Sequence, residues 1–259
     1  MEMWKAALLG LVQGLTEFLP VSSSGHLLLF ERILGVDTGG ADLFLGVMLH
    51  AGTLAALLLL YAPKLWKMLR EDRKTLLFLL VGTLPAALAG VLLGELVDEL
   101  FFGGKWLWAT FALTGVLLLL CDRLSAKGRA LPLTLGKSLA VGGAQALAIL
   151  PGLSRSGTTL AAGVFCGMDR EKAADFSFLL AIPVVAGAVF LELCKAARNP
   201  LLLSAIPLPS LAVGTLCAAL AGFVSVKWML HLVKKRALWG FSVYLFCLAL
   251  CLLLYGIFF

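Results

Sequence analysis

Two short segments of this chain combine residue types that can bind an anion and move a proton. The first, residues 13–26, reads QGLTEFLPVSSSGH. Gln13 and Glu17 are four positions apart, so a helix places them on one face. Pro20 ends that helix, and the serines that follow can cap the next one. Because the N–H groups at a helix N-terminus lack partners, this pattern predicts an anion site there.

The second segment, residues 150–159, reads LPGLSRSGTT and contains a charge within an apolar stretch. A charge at the bilayer centre costs ~2.5–3.5 kcal/mol on insertion scales, so Arg155 needs a partner. Its planar fork suits a phosphate group. A purely structural tie is the alternative for this arginine.

The composition is that of a membrane protein. Of the 259 residues, 61% are hydrophobic and 14% charged, and the mean hydropathy is +1.01. Soluble domains contain ~45–50% apolar and ~25% charged residues. The net charge of +6 comes from basic residues in short loops beside apolar stretches, which is how a membrane protein sets its orientation, so no nucleic-acid partner is predicted.

The chain repeats itself at an offset of 132 positions. Residues 81–90 read VGTLPAALAG and residues 213–222 read VGTLCAALAG. The same offset pairs Gln13 with Gln145 and Gly25 with Gly157. We therefore predict one membrane domain over 1–259, built from a first repeat, 1–130, and a second repeat, 131–259.

Each repeat opens with a broken apolar segment and continues with three unbroken spans. The broken segments are 3–34 and 136–168, and the spans are 42–61, 76–97, 105–121, 175–194, 207–226 and 238–258. Lipid does not tolerate exposed irregular backbone, so a broken segment must be enclosed by protein or line a cavity. The predicted fold is an all-α polytopic membrane protein with six transmembrane helices and two re-entrant helical hairpins.

Loop charges predict the orientation. Basic residues cluster at 64–74, 123–137 and 227–236, whereas 95–99 is acidic. Basic loops lie in the cytoplasm, which places both termini outside. Three spans per repeat is an odd number, so the second repeat is inverted. The hairpins then enter from opposite faces and meet near the midplane, as in many transporters.

The two repeats differ in their chemistry. At the offset of 132, Glu17 matches Ile149, Ser23 matches Arg155 and His26 matches Thr158. The first hairpin would supply a carboxylate, a hydroxyl and an imidazole, and the second a cation and further N–H groups.

The run EFLPVSSSGH from Glu17, with Gln13 four residues earlier, and the run PGLSRSG from Pro151 resemble the two signature motifs of bacterial undecaprenyl-diphosphate phosphatases, the bacitracin-resistance family. The similarity covers essentially the whole chain. In this family the position of Gln13 is Glu or Gln. The resemblance implies a homodimer in the bacterial inner membrane, with an active site that opens to the periplasm. It also implies divalent-cation dependence and hydrolysis of undecaprenyl diphosphate, which recycles the lipid carrier of peptidoglycan synthesis.

These expectations assign a role to each candidate residue. Arg155 and the hairpin N–H groups hold the diphosphate and stabilise developing charge. Glu17 and Gln13 hold Mg²⁺ or Ca²⁺. Ser23 is the candidate nucleophile, with water or His26 as alternatives, and His26 is the general acid or base. Further substrate-binding residues are expected at Ser22, Ser24, Gly25, Ser154, Ser156, Gly157, Thr158 and Thr159.

Other interpretations stay open at this point. Glu17 is alternatively a buried neutral carboxyl and His26 a helix-capping donor, while His50 is interpreted as an interior histidine. A transporter or flippase for a phosphorylated polyprenyl lipid is the alternative function, because inverted repeats with broken helices are typical of transporters. The phosphatidic-acid-phosphatase pattern fails, because Ala161 stands where it needs a histidine.

Overall fold

The computed structural model describes residues 1–36, 42–101, 103–124, 131–199, 205–235 and 238–258. Within these ranges the chain is helical and contains no strand. The helices are α1 Met3–Phe18, α2 Ser23–Ile33, α3 Asp42–Glu71, α4 Arg73–Phe101, α5 Leu107–Leu124, α6 Leu135–Leu147, α7 Arg155–Phe165, α8 Arg170–Arg198, α9 Leu208–Lys234 and α10 Trp239–Phe258.

Six of the described helices, α3, α4, α5, α8, α9 and α10, are long and apolar enough to cross a membrane. Each of them contains most of one predicted span. Large apolar side chains on these helices, such as Leu59, Val91 and Leu220, are exposed, as expected for surfaces that face lipid. The described chain is therefore a multi-pass helical membrane protein.

Helix α3 is longer than the span predicted from the sequence. The prediction ended at residue 61, but the helix continues through Pro63 to Glu71. Polar side chains support this extension: Lys67 pairs with Glu71 at 3.9 Å, and the Arg70 guanidinium lies 4.2 Å from the centre of the Trp66 ring. Hydropathy marks where the apolar part of a helix ends, and the backbone continues beyond it.

The four short helices form two broken pairs, α1–α2 and α6–α7, as the sequence predicts. The longest of them, α1, has 16 residues. At ~1.5 Å per residue it is about 24 Å long, shorter than the ~30 Å hydrocarbon core of a bilayer. None of the four described helices is therefore long enough to cross a membrane by itself.

Equivalent helices of the two repeats make equivalent contacts. Helix α1 packs against α9, and its counterpart α6 packs against α4. A Cβ atom on Gly10 would lie 2.1 Å from the Gly214 carbonyl oxygen, and one on Gly142 would lie 2.1 Å from that of Gly82. Small residues let helix backbones approach closely in membrane proteins, and these two contacts occupy corresponding positions in the repeats.

The contact between α6 and α4 predicts that Gly142→Ala destabilises the protein. The added methyl group would clash with backbone, and overpacking costs about 1–3 kcal/mol. Gly143→Ala is the matched control, because a Cβ there meets nothing within 4 Å. Thermal unfolding in detergent should show a lower midpoint for Gly142→Ala alone. Equal midpoints for the two variants would contradict the packing.

Candidate active site

The two helix breaks are in direct contact. The Ser156 hydroxyl donates a hydrogen bond to the Leu19 carbonyl oxygen at 3.1 Å. A Cβ atom on Gly157 would lie 3.2 Å from the Pro20 side chain. The break in α1–α2 and the break in α6–α7 therefore form one structural unit.

Serines cap the second helix of each pair. Helix α1 ends at Phe18, and the Ser22 Oγ accepts the Gly25 N–H at 3.4 Å as the N-cap of α2. The Ser154 Oγ accepts the Gly157 N–H at 3.2 Å as the N-cap of α7. The capping predicted for the first hairpin is confirmed, and the second uses the same device.

Glu17 is the centre of the polar cluster between the hairpins. It is 6% exposed, and its Oε1 forms an ion pair with the Arg155 guanidinium. Its Oε2 accepts hydrogen bonds from Gln13 Nε2 at 2.9 Å and from Ser23 Oγ at 2.5 Å. The structure therefore brings four predicted site residues together, and Arg155 has the partner that its burial requires.

His50 joins the same cluster from α3. Its Nε2 lies 3.3 Å from Glu17 Oε2, and its Nδ1 lies 2.7 Å from the Gly46 carbonyl oxygen. Interpreting His50 as an interior histidine overlooked this contact. No spacing links it to the motifs, and the available signal was only that ionisable residues inside membrane spans are usually functional.

A cavity of about 300 Å³ opens beside this cluster. Helices α2 and α7 both begin at its wall. Such N-termini, with an arginine beside them, favour anions. Its polar lining residues are Glu17, Ser22, Ser23, Ser24, His50, Gln145, Ser154 and Arg155.

His26 does not lie in this cluster. Its Nδ1 is 2.7 Å from the Ser22 carbonyl oxygen, and its Nε2 is 2.7 Å from the Tyr244 hydroxyl. It lines a different cavity, of about 550 Å³, together with Tyr244 and Trp228. The structure does not bring the His26 ring to Ser23, where a general base for that hydroxyl would stand. It places the Glu17 carboxylate there instead.

The other predicted binding residues fall into two groups. Ser22, Ser24 and Ser154 line the cavity. Gly25, Ser156, Gly157, Thr158 and Thr159 lie behind it, in the packing of the hairpins. The Thr159 hydroxyl, for example, donates to the Arg155 carbonyl oxygen at 2.7 Å.

The side chains near Glu17 could bind a divalent cation only together with oxygens of a phosphate ligand. Among the described residues, no group of three or more His, Cys, Asp or Glu side chains could hold a metal. Glu17 is one carboxylate, and Gln13 Oε1 is buried without a hydrogen-bond partner among the residues that the structure describes. Mg²⁺ is often held by one or two carboxylates together with substrate phosphates. The residues fit a cation shared with a phosphate ligand and do not form an all-protein cage.

Fold and cleft together define a multi-pass helical membrane protein whose polar centre lies between two pairs of broken helices. Residues 6–251 match the family described as bacitracin resistance protein BacA. The undecaprenyl-diphosphatase of Halothermothrix orenii is 38% identical over the full length of both chains. That of Carboxydothermus hydrogenoformans is 39% identical over 98% of this chain and 97% of its own. The chain belongs to the BacA family, which confirms the resemblance of the motifs.

The ion pair between Glu17 and Arg155 predicts strong thermodynamic coupling. The Arg155 and Glu17 side chains are 15% and 4% exposed, so removing one partner leaves the other charge largely buried. For a fully buried pair this removal typically costs ~3–5 kcal/mol. We expect Glu17→Gln and Arg155→Met each to lower the unfolding midpoint in detergent, and the double variant to recover part of the loss. Lys64→Ala breaks a pair that is 44% and 37% exposed, and it should have little effect. Additive effects of the two site changes would contradict the coupling.

Proposed function

We propose that this chain hydrolyses undecaprenyl diphosphate to undecaprenyl phosphate and inorganic phosphate. This reaction recycles the lipid carrier for cell-wall synthesis and confers bacitracin resistance. The observation that carries the proposal is the cluster in which Ser23 Oγ donates to Glu17 and Glu17 pairs with Arg155. Relatives about 38% identical over nearly the whole chain are named undecaprenyl-diphosphatases. No observation on the described residues or the relatives favours the transporter alternative.

Arg155 binds the diphosphate by exchanging partners. Its guanidinium leaves the Glu17 carboxylate for the terminal phosphate, and the N–H groups at the starts of α2 and α7 bind further oxygens. Fixed donors of this kind stabilise the charge that develops on a transferred phosphoryl group. The exchange also frees Glu17 to accept a proton.

Ser23 is the proposed nucleophile, with Glu17 as its base. Ser23 Oγ attacks the terminal phosphorus while its proton passes to Glu17, and the bond to the bridging oxygen breaks. Glu17 gives this proton to the departing undecaprenyl phosphate. In the second step a water attacks the phosphoserine, and Glu17 transfers a proton from the water to Ser23 Oγ. The distance of 2.5 Å between Ser23 Oγ and Glu17 Oε2 supports this route.

The two histidines act as positioning residues. His50 fixes one oxygen of Glu17 from α3. His26 contacts the carbonyl oxygen of Ser22, whose φ of 71° is rare for a residue with a side chain. By holding this strained residue, His26 fixes the direction in which Ser23 leaves the break.

A divalent cation, Mg²⁺ or Ca²⁺, is part of the proposal. Glu17 and Gln13 Oε1 would hold it, and it would neutralise charge on the diphosphate oxygens. Oxygen donors of this type suit both ions.

The lipid chain of the substrate has a place beside the cleft. A cavity of about 530 Å³ has apolar lining residues such as Leu27 and Leu43 and, in addition, the charged Glu31, Arg32 and Asp98. It shares Ser24, Val47 and His50 with the polar cavity. We assign it to the first isoprene units of the polyprenyl diphosphate.

We also propose that the broken pairs are re-entrant hairpins of an inverted tandem repeat, 1–130 and 131–259, within one membrane domain. The short helices and the duplicated glycine contacts support this. Loop charges support an active site that opens to the periplasm from the inner membrane. The homodimer rests on the family resemblance alone.

Phosphate release from undecaprenyl diphosphate by the purified protein in detergent micelles tests the proposed activity. We expect Arg155→Ala and Glu17→Ala to lower kcat/KM by about 100-fold or more, as for the loss of one essential electrostatic contact. Arg70→Ala, which removes an exposed arginine on α3, is the control and should keep full activity. Near-normal turnover in both site variants would remove the basis of the proposal.

Ser23→Ala and His26→Ala separate the candidate nucleophiles. Removing Ser23 should abolish turnover, whereas removing His26 should reduce it partially, because the ring holds the backbone and does not line the cleft. Acid-quenched samples of the wild type with ³²P-labelled substrate should contain phosphoserine. Full activity in Ser23→Ala, with loss in His26→Ala, would assign the attack to the histidine.

Cysteine labelling of intact cells tests the inverted arrangement in a chain whose native cysteines are replaced. Glu2→Cys lies just before α1, on the outer side of the membrane in the proposed topology, and should react with an impermeant thiol reagent. Gly136→Cys, where a Cβ meets nothing within 4 Å, lies at the open end of the second hairpin and should react only after permeabilisation. Lys105→Cys and Arg70→Cys provide the outside and inside references. Labelling of both hairpins from one side would exclude inversion.

A further inference from the structure

Gln145 is a polar residue that lines the cleft, and the mechanism proposed above gives its side-chain amide no role. It lies on α6 and lines the same cavity as Glu17 and Arg155. The residue is 3% exposed. Both amide atoms, Nε2 and Oε1, are buried without a hydrogen-bond partner in the part of the chain that the structure describes. Such orphaned groups are rare, and each of them calls for an explanation.

Comparison with the other repeat shows which partner the amide lacks. Gln13 is the counterpart of Gln145, and its Nε2 donates to Glu17 Oε2 at 2.9 Å. Four residues after Gln145 the chain has Ile149 instead of a carboxylate. The second repeat therefore keeps the donor but has lost the anionic acceptor on the same helix face.

We infer that Gln145 is a substrate-binding residue whose Nε2 donates a hydrogen bond to a non-bridging oxygen of the diphosphate. The anion takes the place that Glu17 occupies beside Gln13. This inference rests on the proposed function, since it requires a diphosphate in the cleft. An uncharged donor suits this position, because Arg155 already supplies a positive charge to the same cavity.

The direction in which a substitution of Gln145 shifts the unfolding midpoint distinguishes a substrate-binding role from a structural one. A structural amide stabilises the fold, so its replacement lowers the unfolding midpoint. A side-chain amide that binds only the ligand has no hydrogen-bond partner in the free protein. Its replacement by an apolar side chain of similar shape should therefore leave the free energy of unfolding unchanged or raise it. Ser138→Ala on the same helix is the matched control, because the buried Ser138 hydroxyl donates to the Phe78 carbonyl oxygen. We expect a lower midpoint for Ser138→Ala and an unchanged or higher one for Gln145→Met.

Binding is measured separately from hydrolysis with methylenediphosphonate, which carries both anionic groups without a lipid or a hydrolysable bridge. All samples contain Mg²⁺. We expect Gln145→Met to weaken binding by about tenfold, as for one hydrogen bond to a charged group, and to raise KM for undecaprenyl diphosphate more than it lowers kcat. Ser138→Ala should bind normally. Gln145→Asn retains the amide on a shorter side chain and should weaken binding as Gln145→Met does. It replaces Gln145→Met in these measurements if that variant does not fold.

The outcomes separate the two proposals. Unchanged binding in Gln145→Met and Gln145→Asn, or a lower midpoint with normal KM, would overturn the role of Gln145. Wild-type protein that binds methylenediphosphonate through Gln145 but releases no phosphate would overturn the hydrolase and leave the binding role in place.

Discussion

The ion pair between Glu17 and Arg155 connects the two broken helix pairs, and the rest of the site depends on it. Each charge lies in the interior of a membrane protein, where an uncompensated charge is costly. Because Glu17 lies in the last turn of α1 and Arg155 is the first residue of α7, the pair requires both breaks to lie at one place. Bringing them together also aligns the starts of α2 and α7 on one cavity. The interaction that neutralises these two charges thus also assembles the candidate anion site.

The two helix breaks depend on the surrounding helices and side chains to satisfy their backbone hydrogen-bonding groups. In lipid an interrupted helix leaves backbone groups without partners. Here Ser22 and Ser154 satisfy part of this need as N-caps. The Thr110 hydroxyl of α5 satisfies another part by donating to the Pro151 carbonyl oxygen at 2.7 Å. Glycine contacts such as Gly142 with Gly82 let the long helices approach closely enough to enclose both breaks.

Much of this arrangement can be predicted from the sequence, because it depends on short local motifs and on the repeat at an offset of 132. Pro20 and the serine run predict where α1 ends and α2 begins, and apolar stretches predict the six long helices. The need of Arg155 for a partner follows from the cost of a charge in lipid. The meeting of the two broken pairs is predicted from the offset of 132 and the odd number of spans, which are properties of the whole chain.

What the sequence does not predict depends on side-chain direction across distant helices. His50 reaches Glu17 from another helix, and His26 turns to Tyr244, 218 positions away. Neither periodicity nor motif spacing contains that information. The end of α3 was also misjudged, because a helix that leaves the membrane keeps its hydrogen bonds while its hydropathy falls. The errors therefore concern which way a residue faces and where a helix stops, whereas the polar cluster around Glu17 lies at the predicted breaks.

The differences between the two sequence repeats place opposite charges in one cleft. Glu17 and Ile149 occupy matching positions and line the same cavity, so a second carboxylate at position 149 would place two like charges there, which is costly when they are buried. The chain has Ile149 at that position and Arg155 at the position that matches Ser23, and Arg155 forms an ion pair with Glu17. In the mechanism that we propose, a diphosphate competes with Glu17 for Arg155, and its arrival releases the carboxylate next to the Ser23 hydroxyl. In this way the anion that is to be cleaved itself creates the free base, and the base remains paired when the cleft holds no anion.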